Sequence, residues 1–383
     1  MISLSRQEIV QTVKYVVIKV GTNILTHKDG LLNFERIHSL VEEIVAIRAR
    51  GINVVLVSSG AVGAGMGRLG LTQRPKSLTT LQAVAAIGQG ALIQFYEEEL
   101  AAKGVPAAQI LLTAGDLSIR HRYLNMCNTM HALFNFGTLP IINENDAVSS
   151  AEISLTFGEN DRLASLVANL FPEPLLILLT DVDGLYDADP STPEAKVISV
   201  VDKWSPKLLD LVAKKKSSRS KGGMETKLRA ARTVVNAGGA MIIANGNDPK
   251  ILSKIFAAED CGTIFYPNQK LSARERWFRS ASAPKGKLVL DAGAIDALLN
   301  QGKSLLPIGV IRVDGEFRQG DVVSMVDQAG KELARGLVNY NFHDAQKICR
   351  KRSDELAQAL QTDAVVHKAI VHRDNLELCP AEA

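Results

Sequence analysis

A chain of 383 residues with a formal net charge of +3 has room for a large core and, by length, for two domains. The small charge excludes a global field that would recruit nucleic acid or membrane. Four scattered cysteines, Cys127, Cys261, Cys349 and Cys379, with no Cys-x-x-Cys pair, exclude a zinc site or disulfide framework and fit a reducing compartment. The N-terminal stretch Met1 to Glu8 has no basic region leading into an apolar core, and no segment is expected to reach the roughly 18 apolar residues of a membrane span. A cytoplasmic protein without a membrane role is the expectation.

From the N-terminus, apolar runs alternate with helical patterns. Tyr15 to Ile18 reads as a buried strand and Phe34 to Arg50 as an amphipathic helix with Ile37, Leu40, Val41, Ile44, Val45 and Ile47 on one side. Asn53 to Val57 reads as a second strand, with Gly51 where a helix C-cap belongs. Helices follow at Ser77 to Lys103, Asn125 to Phe136 and Met224 to Ala237. Strands follow at Gln109 to Leu112, Pro140 to Ile142, Leu175 to Leu179 and Ala240 to Ala244. The strands are continuously apolar and joined by helices, which predicts an α/β domain whose mainly parallel sheet carries helices on both faces. That domain should occupy 1–270, ending near Pro267 to Leu271, with a linker over 271–284 that includes Ala281 to Pro284.

Beyond the linker the texture changes. Short apolar runs at Leu288 to Leu290, Leu305-Leu306, Ile308 to Ile311, Asp321 to Val326 and Glu332 to Val338 are broken by Gly and Asp, with one helical stretch at Ala292 to Asn300. Close spacing of short strands predicts a small barrel over 285–363, leaving 364–383 as a tail.

Chemistry-bearing residues gather at strand ends, where open α/β sheets bind ligands. The first strand runs into Lys19-Val20-Gly21-Thr22, either a cation for a phosphoryl group or a lysine that reaches solvent. The second runs into Ser58-Ser59-Gly60-Ala61-Val62-Gly63-Ala64-Gly65-Met66-Gly67, compatible with anion binding at a helix N-terminus or with close helix packing. It lacks the Gly-x-Gly-x-x-Gly and Walker spacings. Two tetrads follow, Asn143-Glu144-Asn145-Asp146 and Gly158-Glu159-Asn160-Asp161, whose carboxylates and amides suit an ammonium or a magnesium ion. Leu175 to Leu179 ends in Thr180-Asp181-Val182-Asp183-Gly184, a nucleotide-contacting strand end or a self-capping turn. Finally, Lys214 to Lys221 is basic and leads through Gly222 and Gly223 into a helix. It reads as a mobile lid with Lys227 one turn inside the helix, or as a solvated charge run.

In this order, Val17-Ile18-Lys19-Val20-Gly21-Thr22, Val57-Ser58-Ser59-Gly60-Ala61, Ile141 to Val148, Asn160-Asp161, Leu179 to Tyr186 and Gly222 to Lys227 resemble the amino-acid kinase family, and within it the branch that phosphorylates glutamate. Gly302 to Pro307 and Phe317 to Val323 resemble the PUA domain that many bacterial members of that branch carry, so the likeness covers nearly the whole chain.

The resemblance implies an amino-acid kinase fold with an appended PUA domain, and ATP-dependent phosphorylation of the side-chain carboxylate of L-glutamate, entering proline biosynthesis. It implies Lys19, Lys227 and Asp161 as catalytic residues, Asp161 orienting the lysines. Ser59, Asp146 and Asn160 would bind glutamate, Asp146 facing its ammonium. Lys19, Thr180, Asp181, Lys221, Gly222, Gly223, Met224, Glu225, Thr226 and Lys227 would contact ATP. Mg2+ would be held mainly by the ATP phosphates rather than by protein ligands. Homo-oligomers, proline as a feedback inhibitor and functional coupling to glutamate 5-phosphate reductase are further implications. PUA domains also occur in RNA-binding and RNA-modifying proteins, but this one lacks a dense basic and aromatic face. An amino-acid kinase acting on another carboxylate or on carbamate is the other alternative. Two positions depart from the family pattern: Glu159 stands where Asp is frequent, and Ser218 to Lys221 is less rich in Gly and Thr.

Overall fold

The computed structural model describes residues 5–27, 29–148, 159–190, 192–213, 218–268, 275, 284–362 and 366–379; the side chains of 159, 211–213 and 218–222 lie outside that description. Gly158, Lys214 to Ser217 and nearly all of the expected linker therefore fall outside the described residues. The chain divides into two compact units, Met1–Ser280 and Ala281–Ala383.

In the first unit, β1 (Tyr15–Val20), β2 (Asn53–Ser58), β3 (Ala107–Leu112), β4 (Leu139–Glu144), β5 (Leu175–Thr180), β6 (Val200–Val201), β7 (Ala240–Asn245) and β8 (Thr263–Phe265) form one sheet. Their order is β3-β4-β2-β1-β5-β7-β8-β6. Every pairing is parallel except β7 with β8, so the sheet is mainly parallel, as its unbroken apolar runs require. Strands β4 and β5 are buried from end to end. The chain builds first to one side of β1 and then, from β5, to the other, so the strand order reverses between β1 and β5. In open α/β sheets such a reversal is where ligands bind.

Helices cover both faces. On one, Ile37, Leu40, Val41, Ile44 and Ile47 of helix Phe34–Arg48 pack with Leu92, Tyr96 and Leu100 against Val16, Ile18 and Val20. That helix is capped by Asn33, which accepts from the Arg36 amide at 3.0 Å, and Gly51, at φ +78°, follows its end. On the other face, helix Glu159–Ala168 lies against β1, and its Leu163 and Val167 are fully buried.

Helix Leu78–Ala101 is, among the described residues, a segment long and apolar enough to cross a membrane, which the sequence reading did not expect. Here Leu81, Val84, Ala85, Gly88, Leu92, Tyr96 and Leu100 are buried inside the unit. Its partner is helix Ala61–Leu69, and the two approach backbone to backbone. A Cβ on Gly88 would stand 1.9 Å from the Ala61 carbonyl oxygen, and one on Gly65 1.9 Å from that of Val84. Gly65 of the glycine-rich stretch is therefore used for packing, whereas Gly60, at φ +106°, makes the left-handed turn that starts the helix.

The second unit contains β9 (Gly286–Leu290), β10 (Val310–Gly315), β11 (Val322–Val326), β12 (Glu332–Val338) and β13 (Val371–Leu378), ordered β10-β9-β11-β12-β13. Its own core includes Leu288, Leu290, Val313, Val323, Met325 and Ile370. Three differences from the sequence reading stand out. Leu305 makes only an isolated bridge to Val371. Pro307–Gly309 is a 3-10 turn rather than part of a strand, because proline starts such a turn and cannot donate to a ladder. The expected tail, 364–383, supplies β13, which pairs with β12 at the edge of the sheet. Its run of charged residues faces outward, so no strand-like apolar pattern marks it.

Gly88→Ala should lower the unfolding free energy measured in urea by about 1–3 kcal/mol through overpacking. Gly90→Ala, where nothing lies within 4 Å of the added atom, should raise it by about 0.5–1 kcal/mol. Equal shifts for the two would overturn the close helix approach.

Candidate active site

Alternation along β1 puts Lys19 on the same face as Val17, under helix Glu159–Ala168. That helix presents Asp161 in its first turn. Lys19 Nζ lies 2.7 Å from Asp161 Oδ1, and Lys227 Nζ lies 3.1 Å from Asp161 Oδ2. Thr226 Oγ1 donates to the same Oδ2 at 3.0 Å and Lys227 Nζ to the Gly223 carbonyl at 3.4 Å. Asp161 has no solvent exposure, while Lys19 and Lys227 are 6% and 9% exposed.

Such burial makes the charges interdependent. Burial pushes the Lys19 ammonium down, as does Lys227, and Asp161 only partly offsets this. Burial would raise the Asp161 carboxyl, but Lys19 and Lys227 together hold it below the ordinary range. One carboxylate directly contacts two ammoniums, and Asp181 interacts with both lysines from farther off. A partly desolvated cation of this kind is suited to stabilising an anion at the carboxyl end of β1.

A second cluster adjoins it. Asn143 and Glu144, at the end of β4, are buried. Asn143 Oδ1 accepts from the Glu144 amide at 2.9 Å and from Asn160 Nδ2 at 3.2 Å. Asn160 Nδ2 also donates to Ser59 Oγ at 2.9 Å, and Asn143 Nδ2 donates to Gln89 Oε1 at 2.7 Å. The structure thus brings Ser59 and Asn160 together. Asp146 sits half-buried in the turn just after β4. Ser58 meets Tyr96 at 2.9 Å, and burial pushes the Tyr96 phenol up to about 12.

On the other side of β1, Thr180 closes β5 and donates to Asp181 at 3.1 Å, while Asn23 donates to Asp181 at 2.9 Å. Burial works to raise the Asp181 carboxyl, but these hydrogen bonds and Lys227 leave it lowered. Beside it, a cavity of about 330 Å³ is lined by Asp183, Asn245, Asp248 and Lys254. Neither lysine of the buried centre lines this cavity, and the basic segment 214–217 lies outside the described residues.

One expectation needs correction. The helix carrying Lys227 is Ser218–Asn236, not a helix from Met224, so Gly222 and Gly223 lie within it and Lys227 is not in its first turn. Glycines lower helix propensity but do not forbid helix where neighbours support it. Met224 is buried and Glu225 pairs with Arg229 at 2.7 Å. The side chain of Lys221 lies outside the described residues. Among the described residues, no group of three or more His, Cys, Asp or Glu could hold a metal ion. Asn23, Gln89 and Asn143 were absent from the expected site residues. Asn143 is flagged by its tetrad, whereas Gln89 sits in the long helix with no local motif.

A mainly parallel sheet whose order reverses beside a buried cationic centre defines an α/β enzyme for an anionic substrate. The chain belongs to the amino acid kinase family, which residues 14–245 match, and residues 286–360 match the PUA domain. The glutamate 5-kinase of Caldanaerobacter subterraneus subsp. tengcongensis is 45% identical over 94% of this chain and 96% of its own length. Those of Cyanothece sp. and Nostoc sp. are each 46% identical, covering 95% and 98% of this chain and 99% of their own lengths.

Asp161→Asn should cost about 3–5 kcal/mol of stability at neutral pH, because two buried ammoniums lose their counter-charge. The lowered Asp161 carboxyl stabilises the fold fully above the ordinary value of 3.8, and this is lost as pH falls through the lower folded-state value. Urea unfolding of both proteins below pH 3.8 checks it; identical acid responses would overturn it.

Proposed function

We propose that this protein transfers the γ-phosphoryl group of ATP to the side-chain carboxylate of L-glutamate, giving L-glutamyl 5-phosphate and ADP, the entry step of proline biosynthesis. The observation that carries the reading is the buried Lys19, Asp161 and Lys227 centre in a chain whose full-length relatives bear the name glutamate 5-kinase.

A glutamate carboxylate oxygen attacks the γ-phosphorus as the bond to the β–γ bridging oxygen breaks, and that oxygen leaves with the electron pair on ADP. No proton transfer is required. The obstacle is repulsion between two anions, so positioning and positive charge are what the protein must supply. Lys19 and Lys227 supply that charge on either side of the phosphoryl group, and Asp161 gives both lysines a counter-charge and holds them in place. Thr180, Asp181 and the segment Lys221 to Lys227 hold the nucleotide. Ser59, Asn160 and Asp146 hold glutamate, with Asp146 against the ammonium.

Asp161 is committed to its lysines, so Mg2+ would be held through ATP phosphates and water. When bound there, Mg2+ neutralises phosphate charge. The same reading makes the protein a cytoplasmic homo-oligomer, restrained by proline and coupled to a reductase that consumes the acyl phosphate.

The test is ATP, Mg2+ and L-glutamate with hydroxylamine, which converts an acyl phosphate to a coloured hydroxamate. Glutamate-dependent hydroxamate is expected, and its absence overturns the reading. Lys227→Ala should lower kcat by about 10²–10³-fold with the fold intact by circular dichroism; near-normal turnover would remove Lys227 from the chemistry. Asp146→Ala should raise KM for glutamate far more than KM for ATP. Equal rises would mean that the first tetrad is not the amino-acid site.

A further inference from the structure

We infer that Gln89 is a positioning residue that holds Asn143, and through it Asn160, in the amino-acid pocket, an inference resting on the function proposed above. Its starting point is a group that cannot reverse: the backbone N–H of Glu144, which donates to Asn143 Oδ1 at 2.9 Å. An amide side chain can be turned end for end, but a main-chain N–H always donates. Asn143 must therefore direct its oxygen at Glu144 and its NH2 at Gln89, whose Oε1 accepts at 2.7 Å. The same Asn143 oxygen receives Asn160 Nδ2 at 3.2 Å, and the second hydrogen of Asn160 Nδ2 goes to Ser59 Oγ at 2.9 Å.

Both donors of Asn160 are then used. Its Oδ1 is buried with no hydrogen-bond partner among the described residues, a costly state that a donor from a ligand would relieve. Ser59 Oγ, having accepted from Asn160, keeps its own hydrogen to donate. The pocket consequently offers a donor and an acceptor of fixed identity: Ser59 O–H suits a carboxylate, and Asn160 Oδ1 suits an N–H such as an ammonium. These are the two ends of a free α-amino acid. An N-acylated one retains a single N–H in place of three and loses the positive charge.

Gln89 lies outside both tetrads, on helix Leu78–Ala101, and only its oxygen meets Asn143. Removing that acceptor leaves a donor of mostly buried Asn143 unpaired and frees the side chain to rotate away from Asn160. A carboxylate at position 89 keeps the acceptor, whereas an apolar side chain of similar length does not.

The experiment is steady-state kinetics of the full chain with hydroxamate detection, comparing the unmodified protein with Gln89→Met and Gln89→Glu. Gln89→Met should raise KM for L-glutamate about tenfold, the equivalent of one lost hydrogen bond, with KM for ATP unchanged. Gln89→Glu should restore most of that loss. On an Asn160→Ala background, Gln89→Met should add little, because the two act through one chain of bonds.

With an active unmodified protein, an unchanged glutamate KM in Gln89→Met overturns the inference. So does an equal rise in both KM values, or a Gln89→Glu variant no better than Gln89→Met. If the unmodified protein makes no hydroxamate from glutamate, the function itself fails and the inference falls with it.

Discussion

Two lysines and a threonine converge on one carboxylate that water does not reach. A buried ammonium is tolerated only beside a counter-charge, and a buried carboxylate only beside donors. That requirement ties together three elements far apart in the chain: the end of β1, the first turn of helix Glu159–Ala168 and helix Ser218–Asn236. The packing of these helices on the sheet is therefore also the assembly of the charge centre. Lys19, on β1, lies at the strand-order reversal, where open α/β sheets bind ligands.

The neighbouring amide network works by geometry rather than by charge. Gln89, Asn143, Asn160 and Ser59 come from a helix, a strand, a second helix and a strand-to-helix turn. Their donors and acceptors are used in sequence from a main-chain N–H that has one polarity. What the network leaves open is thereby defined, an acceptor on Asn160 and a hydroxyl donor on Ser59. In the proposed reaction the two clusters would divide the labour: the lysine centre would meet phosphate charge, and the amide chain would discriminate what is brought to it. Asn160 and Asp161, adjacent in sequence, join them, because successive residues in the first turn of a helix point to different sides.

Much of this was legible beforehand. The continuous apolar strands, the helical periodicity between them and the placement of Lys19, Asn143, Thr180 and Asp181 at strand ends follow from local pattern. The glycine-rich stretch admitted two readings by itself. Contact with Gly88 decides that Gly65 serves packing, and the positive φ of Gly60 makes the turn. The helix before Lys227 starts at Ser218 despite two glycines. In the second unit the strand Val371–Leu378, with its polar run His372 to Asn375, was invisible, since an edge strand with an outward polar face need not alternate.

By itself, the sequence determined the α/β class, the two-part organisation and the residue types at each strand end, because periodicity and turn chemistry act over a few residues. It could not tell which of those polar groups would share a partner. Lys19 meets Asp161 and Lys227 meets the same carboxylate only after the sheet and both helices have packed. Gln89 joins the site only because the close Gly65 to Gly88 approach, with its helix, brings it toward β4. Those contacts depend on long-range packing, which no local pattern encodes, and they turn a set of strand-end residues into a charged centre with a hydrogen-bonded amide network beside it.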